Sequence, residues 1–170
     1  SGNYTLTATP YSQTNRGGTA GSTTTLRFSI VPIPVPVIGS FTLINAGTDT
    51  DILTLTDGLQ ISQSQIQGLS LNIRANTNPS VVGSVFLRIS GPINRTITEN
   101  VAPYALFGDK NGNYNGRNLP VGNYTLEATP YSQSNRRGAI GATLTIKFSI
   151  TSEAFRMNGT QTESDESENP

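Results

Sequence analysis

Residues Gly2 to Ile30 read GNYTLTATPYSQTNRGGTAGSTTTLRFSI, and Gly122 to Ile150 read GNYTLEATPYSQSNRRGAIGATLTIKFSI, with 20 of the 29 positions identical. Self-similarity at a fixed spacing marks a repeated folding unit. The spacing is 120 residues, enough for a domain with its own core. The 170 residues therefore read as one complete unit preceded by the closing strand pair of another.

Working outward from the repeat, Val31 to Val37, VPIPVPV, alternates proline with β-branched residues. Proline fixes φ, so this stretch is expected to be a stiff extended spacer. The complete unit then spans residues 38–150. Strand signals fall at Phe41–Asn45, Ile52–Thr56, Leu69–Ala75, Val82–Ile89, Tyr104–Phe107, Tyr124–Thr129 and Thr143–Ile150. Turn formers separate them: Asp57-Gly58, Asn78-Pro79, Gly91-Pro92, Asn111-Gly112 and Pro120-Val121-Gly122. Seven short strands punctuated this way predict an antiparallel β-sandwich. Alternation places Leu69, Leu71 and Ile73, then Val85, Leu87 and Ile89, then Leu144, Ile146 and Phe148 on core-facing sides. Residues 151–170 hold five acids and one arginine with few apolar residues, and are expected to be a tail or linker.

Composition narrows the chemistry. Charged residues make up 13% and the chain is rich in Thr, Ser, Asn and Gly, which favours strands over helices. The absence of Cys and His removes disulfides, thiol or imidazole catalysis and the usual transition-metal ligands. Residues 1–150 carry ten basic against six acidic side chains, dispersed and not interleaved with aromatics, so no nucleic-acid groove is expected. No apolar run approaches a membrane helix, and no direct membrane insertion is expected.

Gly122-Asn123-Tyr124, repeated at Gly2-Asn3-Tyr4, resembles the tyrosine corner of immunoglobulin-like folds, whose phenol bonds back to upstream backbone. The runs TITENVAPYALFGDKNGNYN (Thr96–Asn115), SFTLINAGTDTDILTLTDG and LSLNIRANTNPSVVGSVFLRISGP extend the likeness over the whole unit. Together they resemble the repeats of large secreted bacterial surface proteins, which often stand beside malectin-like modules. The resemblance implies an immunoglobulin-like sandwich of about seven strands. It also implies a spacer or adhesion role at the cell surface, with carbohydrate or ice binding left to neighbouring modules. Asn113 stands where such repeats often carry Asp, a departure that counts against metal binding.

Within the unit, Asp109, Asn111, Asn113 and Asn115 alternate oxygen-bearing side chains around Gly112, a spacing that suits calcium and equally a hydrogen-bonded Asx turn. Asp49, Asp51 and Asp57 form a second acidic set. The pairs Asp49/Asp51 and Asp109/Glu127 are the carboxylates available for glycoside hydrolysis. With no Trp and 7% aromatics to line a sugar cleft, enzymatic activity is not expected. Asn3, Asn94, Asn123 and Asn158 match the glycosylation acceptor pattern. Residues 1–30 need cover for Leu6, Leu26, Phe28 and Ile30. Two partners are open: a neighbouring repeat of the same protein, or another copy joined by strand exchange into a homo-oligomer or fibre.

Overall fold

A computed structural model describes residues 1–32 and 34–152. The fold is all β and antiparallel in nearly every pairing, as the sequence predicts. Two compact units divide at Val35/Pro36.

The first unit is a single hairpin. Strands β1 (Gly2–Ala8) and β2 (Thr24–Ile30) pair from Gly2↔Ile30 to Ala8↔Thr24. Period-2 alternation puts Tyr4, Leu6, Leu26, Phe28 and Ile30 on one face and Asn3, Thr5, Thr7, Thr25, Arg27 and Ser29 on the other.

The second unit is a sandwich of two sheets. One sheet orders β4 (Thr50–Leu55), β3 (Val37–Asn45), β6 (Leu71–Asn78) and β9 (Tyr104–Ala105). The other orders β5 (Leu59–Ser62), β14 (Leu144–Thr151), β12 (Gly122–Gln133), β7 (Ser84–Ser90) and β8 (Arg95–Glu99), with β13 (Arg137–Ile140) extending the tip of β12. β5 and β14 run parallel. A small hairpin, β10 (Asp109–Lys110) and β11 (Asn113–Tyr114), turns through Asn111 and Gly112, both at positive φ. That is the geometry an Asn-Gly pair favours.

The inner faces supply one continuous core. Leu71, Ile73, Val85, Leu87, Ile89, Ile146 and Phe148 are buried in it, while Leu69 and Leu144 pack at its margin. Helix among the described residues of this unit is one turn, α1 (Gln63–Ile66), opened by a capping box in which Gln65 Oε1 accepts from Ser62 N at 2.9 Å. Val37 is the first residue of β3 rather than the last of the spacer. The acidic stretch from Glu153, with Asn158 in it, lies outside the described residues.

Candidate functional site: an exposed hairpin face and a pinned acidic loop

The two copies of the repeat fold alike. β12 and β14 pair from Gly122↔Ile150 to Ala128↔Leu144, the register of β1 and β2 advanced by 120 residues. Tyr4 stacks on Phe28 with centroids 5.5 Å apart, and Tyr124 on Phe148 at 5.0 Å. Thr9 and Thr23 hydroxyls bond at 2.7 Å, as do those of Thr129 and Thr143. At the tips, Ser12 Oγ accepts from Thr19 N and Ser132 Oγ from Ala139 N. Asn15 and Arg16 sit at φ 57° and 62°, Asn135 and Arg136 at 58° and 60°.

Their surroundings differ. Tyr124, Leu126, Ile146, Phe148 and Ile150 are 0–6% exposed, because β7 flanks β12, β5 flanks β14 and the facing sheet closes over them. Their counterparts Tyr4, Leu6, Leu26, Phe28 and Ile30 are 45–59% exposed. These five side chains form the face that the repeated sequence buries at residues 122–150. The tip of the covered copy is also held. Ser84 Oγ donates to Gln133 O at 2.8 Å and accepts from Arg136 N at 3.0 Å. Asn135 exchanges two bonds with Asn100, and the Arg136 guanidinium lies 4.5 Å over the Phe86 ring.

The phenol of Tyr124 donates to Pro120 O at 2.6 Å, the backward bond that the Gly-Asn-Tyr triplet suggested. Burial pushes its pKa up to about 12.

The acidic loops are engaged with protein donors. Asp109 Oδ2 accepts from Gly112 N at 2.6 Å, an Asx-type turn. Asn111 and Asn113 are exposed beside it, and Asn115 Nδ2 reaches Phe107 O at 3.3 Å. Asp49 Oδ1 accepts from Tyr114 N on the same small hairpin. Asp51 pairs with Arg74 at 2.8 Å. Burial opposes the charge of Arg74, but bonds to Asp51 and Tyr114 outweigh it and its pKa is raised. Asp57 instead accepts from Lys147 N on β14, in the other sheet, so the set Asp49, Asp51 and Asp57 is not gathered at one point. Glu127 faces Arg88 across β12 and β7 at 3.6 Å. Among the described residues no group of three or more His, Cys, Asp or Glu side chains converges as a metal site. Asn3, Asn94 and Asn123 are exposed.

Sequence reasoning passed over the residue that fixes this loop. Asn72 is fully buried on β6. Its Nδ2 donates to Gly108 O at 3.0 Å and Asn115 O at 2.8 Å, and its Oδ1 accepts from Ile73 N and Phe107 N. Tyr104 likewise closes on both backbone groups of Val82. The sequence LSLNIRA gives no signal for it, because alternation places Asn72 with Ser70 and Arg74 on the polar side of the strand. No family model, curated protein or solved structure matches this chain.

Proposed function

We propose that this chain is a non-catalytic structural repeat of an extracellular adhesin or filament, in which immunoglobulin-like sandwich units serve as semi-rigid spacers. The observation that carries the reading is the recurrence of one hairpin, at the same register, 120 residues apart. Two units cut to one pattern and joined by a proline-rich segment make an array in which each unit mainly touches its neighbours. The parallel pairing of β5 with the last strand, and the Tyr124 to Pro120 bond, support the immunoglobulin-like assignment.

The alternative is a carbohydrate- or calcium-binding module, for which the Asp109 loop is the natural seat. Against it, the loop carboxylates already accept from backbone or Arg74. Among the described residues, the aromatic side chains of the sandwich unit are also buried or half-buried, which argues against a stacking platform for a sugar. The test is a longer chain in which residues 36–150 are followed by residues 31–150. Small-angle scattering is expected to give a maximum dimension near twice that of one unit, unchanged by Ca²⁺. A collapsed pair, or a saturable calorimetric response to Ca²⁺, refutes the spacer reading.

A further inference from the structure

We propose that the pocket between the β7–β8 turn and the segment leading into β12 is a binding site for a sugar acid, a polyhydroxylated ligand carrying one carboxylate, held by Arg95 and Arg117. The site lies within the sandwich unit and adds a ligand to the spacer reading without resting on it.

The pocket is a cavity of about 420 Å³ lined by Ile93, Asn94, Arg95, Phe107, Arg117 and Asn118. That volume falls in the range of small-molecule sites. Two of the lining residues are cationic and none is acidic, in a chain where charged residues of both signs make up only 13%. Among the described residues the ion pairs are Arg74 with Asp51 and Arg88 with Glu127, so both pocket arginines lack an acid partner. Glu99, whose carboxyl the charge of Arg95 reaches, stands beyond ion-pair distance. Two like charges facing one cavity repel, and a carboxylate between them replaces that repulsion with charge-assisted hydrogen bonds.

Both arginines are anchored in the empty pocket. Arg95 opens β8; its Nε donates to Leu106 O at 2.7 Å, and its guanidinium carbon lies 5.8 Å from the centre of the Phe107 ring. With Nε engaged, the two terminal nitrogens remain as a fork, an edge that can take both oxygens of a carboxylate. Arg117 is fixed through its backbone, which exchanges two 2.8 Å bonds with Leu71 at the start of β6. Among the described residues its side chain makes no hydrogen bond or ion pair, and the amides of Asn94 and Asn118 make no hydrogen bond. Each amide both donates and accepts, which suits the hydroxyls of a sugar frame. Phe107 is buried, so its ring backs Arg95 and recognition falls to charge and hydrogen bonding rather than to stacking.

The test is amide NMR of the whole chain, titrated separately with glucuronate, glucose and acetate. Glucuronate is expected to shift the side-chain amides of Asn94 and Asn118 and the backbone amides of Arg95 and Arg117 saturably. Glucose is expected to leave them in place, and acetate to bind more weakly than glucuronate. R117Q removes a side chain with no partner to lose, so it is expected to keep the parent's urea midpoint. It is expected to weaken glucuronate binding roughly tenfold, the worth of one charge-assisted hydrogen bond. No saturable shift, an equal response to glucose, or undiminished affinity in R117Q overturns the site. Acetate that binds as tightly as glucuronate overturns the assignment to a sugar acid. The spacer reading is judged by the scattering of the two-unit chain, so it and the site fail separately.

Discussion

Truncating the same leucine in each copy measures the difference between a seated hairpin and an exposed one. Leu126 is 0% exposed. Leu126→Ala removes three carbons, about 2.4 kcal/mol of transfer free energy at roughly 0.8 per methylene. The cavity left among tightly packed neighbours raises the cost to about 3 kcal/mol, inside the range for buried leucines. Leu6 occupies the same register position but is 59% exposed, in the other compact unit. Leu6→Ala is therefore expected to leave the sandwich transition within about 0.5 kcal/mol of the parent, as surface changes do. The assay is urea unfolding followed by far-ultraviolet circular dichroism at low micromolar concentration, with unchanged m-values required for comparison. A Leu6→Ala shift of the main transition comparable to that of Leu126→Ala refutes the argument, since it shows the hairpin covered in the dilute chain. A Leu126→Ala cost below about 1 kcal/mol refutes it from the other side, since the core would then not depend on β12.

Tyr124→Phe deletes the bond to Pro120 and is expected to cost about 1 kcal/mol, whereas Tyr4→Phe is expected to be silent in the same melts. The raised Tyr124 pKa also has a sign: its stabilisation is intact below the ordinary tyrosine value and is lost as pH rises toward about 12. Ultraviolet phenol titration is expected to lose a late-ionising component on Tyr124→Phe. Asn72→Leu strands the carbonyls of Gly108 and Asn115 and two amides, so urea melts are expected to show a loss of roughly 2–4 kcal/mol with faster exchange of the Phe107 amide. Glu99 has its pKa raised by burial first and by the charge of Asp109, with Arg95 opposing. A raised acid stabilises the fold at pH below its unfolded value and loses that contribution as pH rises through its folded value. Glu99→Gln is expected to flatten the fall in stability between acid and neutral pH; an unchanged slope refutes the assignment. Gly83→Ala places a methyl on the Gln133 backbone and is expected to lower the melting temperature more than Gly58→Ala, where space is open although φ is +78°.

The strands that packed an apolar face were legible because alternation is enforced by burial: Val85, Leu87 and Ile89 all face inward. β5 was not, since LQIS is four residues long and its pairing with β14 is parallel and nonlocal. β8 reads RTITE, an edge segment with no fully buried residue. β13 owes its strand geometry to the bulged tip of β12 rather than to its own apolar content. The acidic loop was legible as an Asx turn and as a calcium loop alike, because spacing alone does not say where Asp109 Oδ2 points. Its engagement by Gly112, and that of Asp49 by Tyr114 across 65 residues, are tertiary facts. Asn72 was unreadable for the same reason: its four partners are backbone groups, and three of them come from a loop 35 or more residues away.

The two hairpins separate what local sequence fixes from what the sheet supplies. Register, the aromatic stack, the threonine pair and the left-handed tip are the same with and without neighbours, so they belong to the hairpin. Burial comes from the flanking strands β7 and β5 and from the facing sheet, and a two-stranded ribbon is marginal in water without such cover. The apolar face that both copies carry is therefore stabilising only where those neighbours stand, which is what the unequal costs of Leu126→Ala and Leu6→Ala measure.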